Sequence, residues 1–113
     1  MTKIKFFKKN DIITGFECSG HTGYAEFGKD ILCASISSMT QATCLGITKV
    51  LGIPATITRN DDKGYIQIVL PESIDIDLLD KAQILFNTLK CSIEDLLEGY
   101  KKYIKMEVIE NVY

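Results

Sequence analysis

The chain contains 113 residues, which is the length of one domain, since domains usually span about 100 to 200 residues. A formal net charge of -2 and a sequence pI near 5.3 disfavour a nucleic-acid-binding protein, because such proteins usually present a basic surface to phosphate groups. The first residues lack the apolar core of a signal peptide, and no other apolar run is expected to be long enough to cross a membrane. We therefore predict a single cytoplasmic domain over residues 1–113, with no direct nucleic-acid or membrane partner.

The N-terminal segment is predicted to form a β-hairpin. Residues 3–9 and 12–20 have the composition of strands and are separated by a short turn. Strict alternation along the second strand places Ile12, Phe16 and Cys18 on one face, and this is the expected core face. Cys18 is therefore predicted to be a packing residue.

The spacing of apolar residues changes to a helical period after Asp30. The helix that begins there is expected to end at Gly52 and Pro54, since these residue types commonly follow helices. Its apolar stripe consists of Leu32, Ile36, Met39, Thr43, Ile47 and Val50. This pattern predicts an amphipathic helix with one face in the core.

The rest of the chain repeats this order of elements. Residues 55–60 and 64–70 predict a second hairpin that turns through Asp61, Asp62 and Gly64, and residues 103–110 predict a final strand. Between them, apolar residues at three- and four-residue spacings predict one helix of about 25 residues. These residues are Leu78, Ala82, Leu85, Phe86, Leu89, Ile93, Leu96, Leu97 and Tyr100. The order ββαββαβ indicates an α+β domain, with a small sheet of about five strands covered by two long helices.

The segment SGHTGYAEFGKDILCAS, residues 19–35, contains the only histidine of the chain, His21, and a cysteine twelve positions later, Cys33. A cysteine protease needs a thiolate, an adjacent base and hydrogen-bond donors for the oxyanion that forms on attack. Asp30 is well placed as a helix N-cap, which puts Cys33 in the first turn. Unpaired N–H groups and the helix dipole favour a thiolate there, so His21 and Cys33 are candidates for a catalytic pair.

Further residues of the segment can support such a site. Asp30 has two open roles, because its carboxylate can cap the helix or turn toward His21. Ser37 lies one helical turn beyond Cys33, so its hydroxyl can reach the site or face solvent. The backbone N–H groups of Cys33 and Ala34 are candidate donors to the oxyanion.

Three glycines, Gly20, Gly23 and Gly28, lie between or beside the two candidate catalytic residues. They permit conformations that other residues avoid, so the segment can fold the histidine back over the helix terminus as a substrate loop. We expect this loop, residues 22–29, to be mobile without substrate and to close over a bound substrate.

The spacing is also compatible with other interpretations. A histidine after a strand and a cysteine in a helix are more often a surface turn and a small buried residue. Cys18, His21, Cys33 and Cys44 include the ligand types of a zinc site, but Cys44 would lie about 16 Å along the helix from Cys33, so no metal site is predicted. The four cysteines are irregularly spaced and lack a Cys-x-x-Cys pair, so reduced thiols are expected and a thiol redox protein is only an alternative.

The same segment resembles the signature of the ribosomal-processing cysteine protease family Prp. The resemblance rests on a Gly-His pair, a glycine-containing loop and an Asp-Ile-Val-Cys-Ala segment, with Leu32 here in place of the usual valine. The matching positions are Gly20, His21, Gly23, Ala25, Gly28, Asp30, Ile31, Cys33, Ala34 and Ser37.

The resemblance implies that Cys33 is the nucleophile and His21 its base, with no cofactor. It also implies that the substrate is the N-terminal extension of a bacterial large-subunit ribosomal protein, and that the enzyme is a homodimer with a mobile loop. The roles of Asp30 and Ser37 stay open. The alternative from another functional class is a non-catalytic ribosome-associated module that binds a protein partner.

Overall fold

The computed structural model describes residues 1–26 and 30–110, which form one mixed sheet and two long helices. The elements in chain order are β1 (Thr2–Lys9), β2 (Ile12–Ser19), α1 (Ile31–Leu45, continued by a π-helical turn over Gly46–Val50), β3 (Thr56–Asn60), β4 (Tyr65–Val69), α2 (Ile76–Tyr100) and β5 (Ile104–Glu110). The spatial order of the strands is β3-β4-β2-β1-β5, in which only the β1–β5 pair is parallel. The predicted α+β class and the order ββαββαβ are confirmed.

One face of the sheet carries the hydrophobic core. The register places Ile4 opposite Cys18 and Phe6 opposite Phe16, and all four side chains are buried. The ring of Phe16 meets Phe86 of α2 edge to face, with 6.2 Å between the ring centroids. Burying an apolar side chain of this size contributes about 1.5–3 kcal/mol, so the helices are held on this face mainly by apolar contact. Cys18 is 6% exposed and faces the core, as predicted.

The alternation predicted for β2 is interrupted by a β-bulge. The register between β1 and β2 shifts in the middle of the hairpin, which leaves Thr14 as the extra residue. The side-chain parity reverses there, so Ile13, at 1% exposure, is the core residue before the bulge and Ile12 is only half-buried. The backbone N–H and C=O of Ile13 are also hydrogen-bonded to the side-chain amide of Gln83 on α2, each at 2.8 Å.

Helix α1 begins after Asp30 as predicted, but the predicted end of its apolar stripe is wrong. Beyond Gly46 the chain forms a π-helical turn, in which the Leu51 N–H bonds to the Gly46 carbonyl five residues back. This changes the helical period, and Val50 is 81% exposed. The buried residues of the continuous helix are Leu32, Ile36, Thr40, Thr43, Cys44 and Ile47.

By length and composition alone, the segment Ile31–Val50 is long and apolar enough to cross a membrane, so the expectation that no such apolar run exists was wrong. A core helix of a folded domain passes the same test. In this fold, the buried apolar residues of the segment belong to the hydrophobic core; they are Leu32, Ile36, Cys44 and Ile47.

The second half of the chain follows its sequence pattern closely. The β3–β4 hairpin turns through residues 61–64, where Gly64 adopts a φ of +58°. Helix α2 is 25 residues long and continues through Ser92, whose hydroxyl donates to the Thr88 carbonyl at 2.8 Å. A tight turn at Tyr103 then leads into β5.

Candidate active site

The two predicted catalytic residues lie side by side. His21 directly follows the Gly20 turn at the end of β2, and Cys33 is the third residue of α1. The Cys33 Sγ and the His21 Nδ1 are 3.7 Å apart, which is within the range of a hydrogen bond to sulfur. The fold therefore places an imidazole nitrogen next to a thiol at the start of a helix, an arrangement that can generate a nucleophilic thiolate.

Two glycines in left-handed backbone conformations position His21. Gly20 has a φ of +87°, and a Cβ there would lie 2.6 Å from the Met1 carbonyl oxygen. Gly64 has a φ of +58°, and a Cβ there would lie 3.1 Å from Cε1 of His21 and 2.9 Å from the Gly20 carbonyl oxygen. The β3–β4 turn thus packs directly against the imidazole. The sequence predicts a turn at Gly64, but nothing in the local pattern relates Gly64 to His21, so this contact was not predicted.

Asp30 connects the segment after His21 with the start of α1. Its Oδ1 accepts the Cys33 N–H at 2.9 Å, which is the predicted N-cap interaction. Its Oδ2 accepts the Tyr24 N–H at 3.1 Å and the hydroxyl of Thr22. The sequence left two roles open for Asp30, as the cap of α1 or as a partner of His21. The contacts that the structure describes are those of the helix cap. The links to Thr22 and Tyr24 were not predicted.

The same contacts determine the charge state of Asp30. Its desolvation would raise the pKa of the carboxyl, but donors converge on the carboxylate and outweigh this effect. They are the Thr22 hydroxyl and the backbone N–H groups of Cys33, Ala25 and Tyr24, and together they hold the pKa below its ordinary value of 3.8. Asp30 is thus an anion at neutral pH that organises the surrounding backbone.

The N–H groups predicted to hold the oxyanion already have acceptors. The Cys33 N–H donates to the Asp30 carboxylate, and the Ala34 N–H donates to the Asp30 carbonyl oxygen at 3.0 Å. The first is the N-cap bond and the second is the first hydrogen bond of the helix. An oxyanion role for Cys33 and Ala34 would therefore require these bonds to be exchanged during the reaction.

The Cys33–His21 pair opens into a cleft of about 470 Å³ between α1 and the β3–β4 hairpin. Ser37 lines the cleft, which is one of the two placements that its helical position left open, and its Oγ accepts a 2.6 Å hydrogen bond from Gln41. The floor and the remaining walls include Cys18, Ile36, Ile66, Tyr65, Arg59, Asp61, Gly20, Gly23 and Ala25. Gly28, the third predicted loop glycine, lies outside the described residues. A volume of this size is typical of a site for a ligand or a peptide segment.

The two buried cysteines, Cys18 and Cys44, lack the features of a nucleophile. Burial raises the pKa of Cys18 to about 12, with smaller contributions from Cys33 and Glu17, and burial raises the pKa of Cys44 to about 11. Both thiols therefore stay protonated at neutral pH. Among residues 1–26 and 30–110, no group of three or more His, Cys, Asp or Glu side chains could hold a metal ion, so the zinc alternative has no geometric support.

The model of the family "Cysteine protease Prp" matches residues 1–105. The chain belongs to this family. It is a cysteine protease, and the resemblance noted in the sequence is confirmed.

Individual Prp relatives agree with this assignment. The ribosomal processing cysteine protease Prp of Bacillus subtilis is 29% identical over 94 residues, which cover 83% of this chain and 84% of the relative. Prp from S. aureus in complex with a covalently linked product peptide has the same fold, with a TM-score of 0.85, 22% identity and coverage of 96% of this chain and 99% of that one. A Streptococcus mutans crystal structure has a TM-score of 0.83 at 24% identity and covers 98% of this chain and 96% of that one.

The contact between Gly64 and His21 leads to a first prediction. We expect Gly64→Ala to lower kcat/KM for peptide cleavage about tenfold or more, because the new methyl group would displace the imidazole from Cys33. Gly52→Ala is the matched control, since Gly52 also has a positive φ, +69°, but a Cβ there would have no neighbour within 4 Å. Both variants should lose about 1–2 kcal/mol of stability from the left-handed alanine, and Gly64→Ala should lose more than Gly52→Ala, because its Cβ would also lie 2.9 Å from the Gly20 carbonyl oxygen. Melting curves and cleavage rates measured together test this. Equal loss of activity in both variants would contradict a specific role for Gly64.

Proposed function

We propose that this chain is an endopeptidase that removes the N-terminal extension of a large-subunit ribosomal protein, with Cys33 as nucleophile and His21 as base. The observation that carries the proposal is the 3.7 Å contact between the Cys33 thiol and the His21 imidazole inside the cleft. The substrate class is supported by relatives that are named ribosomal processing cysteine proteases. The S. aureus relative that shares this fold was solved with a covalently linked product peptide.

The proposed reaction uses only side chains of this chain and water. His21 accepts the thiol proton of Cys33, and the thiolate attacks the carbonyl carbon of the scissile peptide bond. The tetrahedral intermediate collapses, the C–N bond breaks, and the imidazolium gives its proton to the leaving amine. Water, deprotonated by His21, then hydrolyses the thioester and releases Cys33. No cofactor takes part in these steps.

The decisive experiment uses a purified ribosomal-protein precursor that carries its N-terminal extension. We expect the wild-type chain to produce one new N-terminus inside the precursor, identified by mass spectrometry, and Cys33→Ala to produce none. A precursor with a scrambled extension is the control for sequence-dependent recognition. Binding of the precursor without cleavage would instead favour the non-catalytic alternative, which family membership already disfavours.

A homodimer and a cytoplasmic location complete the proposal. The homodimer rests on the resemblance to Prp, and it predicts a molar mass in solution twice the 12.6 kDa of one chain. Light scattering at several concentrations would measure that mass.

A further inference from the structure

Tyr24 is attached to the body of the protein through both its backbone and its side chain. Its N–H donates to the Asp30 carboxylate at 3.1 Å. Its ring meets Tyr100, the last residue of α2, with 5.7 Å between centroids and 79° between planes. It also meets Tyr103 at 5.3 Å and 80°. Both pairs have the edge-to-face geometry that aromatic rings favour.

The neighbours of Tyr24 face the cleft. Gly23 and Ala25 line the cleft, whereas the Tyr24 ring packs on the end of α2. Gly23 has a φ of +72°, and a Cβ there would have no neighbour within 4 Å, so packing around Gly23 does not hold this part of the wall. Two kinds of described contact thus anchor the segment next to the candidate catalytic pair: the bonds of Thr22, Tyr24 and Ala25 to the Asp30 carboxylate, and the packing of the Tyr24 ring on the end of α2.

We propose that Tyr24 is a positioning residue, whose packing on Tyr100 and Tyr103 holds the Gly23–Ala25 wall of the cleft in a substrate-competent conformation. The proposal rests on the proposed function. When only a fraction of the protein molecules are in the binding-competent conformation, the apparent dissociation constant equals the intrinsic one divided by that fraction. Releasing the ring should therefore raise KM for the substrate peptide. It should leave kcat nearly unchanged, because Gly20 and Gly64 continue to position His21 beside Cys33.

The test compares Tyr24→Ala with Tyr24→Phe, which keeps the ring. We expect Tyr24→Ala to raise KM about tenfold, because losing one or two aromatic pairs weakens binding by about this factor. The kcat of this variant should stay within about threefold of wild type. Tyr24→Phe should restore the wild-type KM. The rate at which iodoacetamide alkylates Cys33 should be equal in all three proteins, since the proposed role does not involve the thiol–imidazole contact. A melting curve for each variant verifies that it is folded.

A double-mutant cycle identifies the partner. Tyr100→Leu keeps an apolar side chain at a position that packs against the core but removes the ring. Tyr24→Ala combined with Tyr100→Leu should raise KM less than the product of the two single effects, because both changes break one contact.

The outcomes distinguish the positioning role of Tyr24 from the proposed endopeptidase function. A wild-type chain that cleaves its precursor, together with a Tyr24→Ala variant whose KM is within twofold of wild type, would overturn the role of Tyr24 and leave the proposed function intact. The role of Tyr24 would also be overturned if Tyr24→Phe did not restore the wild-type KM, or if Tyr24→Ala lowered kcat and the alkylation rate of Cys33 rather than raising KM. A wild-type chain that cleaves no precursor would overturn both, since a residue cannot position a substrate that is not used.

Discussion

Cys33→Ser and His21→Ala are each expected to lower kcat/KM for peptide cleavage by about four orders of magnitude while the fold is retained. A serine hydroxyl is too weak an acid for a single imidazole to activate as readily as a thiol, and without His21 no adjacent base takes the thiol proton. The double variant should be no worse than either single variant, because the two residues act as a unit. Progress curves with the precursor peptide, together with circular dichroism, measure both effects.

Controls for this result are available among the other cysteines. Cys91 is exposed on α2, so Cys91→Ser should behave as wild type. Cys18→Ala and Cys44→Ala should lower stability rather than chemistry, since both thiols are buried in the core. If Cys33→Ser or His21→Ala kept activity within tenfold of wild type, this pair would not be the catalytic pair. Loss of activity in a folded Cys18→Ala variant would mean that Cys33 has been wrongly assigned as the nucleophile.

The second large effect is expected at Asp30. Asparagine still accepts the Cys33 N–H and caps α1, but its NH2 group cannot accept hydrogen bonds from Thr22 and Tyr24. We therefore expect Asp30→Asn to lower kcat/KM and also to lower the melting temperature at neutral pH, because the stabilising contacts of the anion are lost. Asp30→Ala should additionally lose about 1 kcal/mol of stability with the cap. Thr22→Val removes one donor without changing charge, so it separates the loss of the hydrogen bond from the loss of the anion.

The pH dependence of stability provides an independent measurement at Asp30. Its pKa is lowered in the folded state, so its contribution to stability is present above the ordinary value of 3.8 and is lost as the pH falls through the folded-state value. Melting temperatures of wild type and Asp30→Asn should therefore converge below about pH 4. A gap between the two proteins that is constant from neutral to acidic pH would mean that the carboxylate is not stabilised by these contacts. Activity of Asp30→Asn equal to wild type would restrict Asp30 to capping.

The elements of this fold were predictable because each depends on residues close together in the chain. The helical period after Asp30, the turn at Gly64 and the long stripe of α2 each indicate their element locally, and all three are present. The candidate site was partly predictable for the same reason. A cap at Asp30 places Cys33 in the first helical turn, and the glycines beside His21 allow the chain to return to it.

Other features depend on which distant segments meet, and no local pattern specifies this. The bulge at Thr14 reverses the parity of β2 only because β1 and β2 pair in a shifted register, so Ile13 rather than Ile12 is buried. The strand order places β4 beside β2, and this brings the Gly64 turn against His21.

The aromatic contacts of Tyr24 likewise combine a feature that neighbouring residues indicate with partners that only the fold brings together. The residues around Tyr24 indicate a flexible, glycine-containing loop, whereas its partners Tyr100 and Tyr103 are more than seventy positions away in the chain. Capping, helical period and turn chemistry act over a few neighbouring residues, so the sequence of this protein was sufficient to predict its helices and strands. It also indicated that His21 can lie close to Cys33. The cleft wall, the support of His21 and the anchor of the loop arise from strand order and helix packing, which depend on the free energy of the whole core.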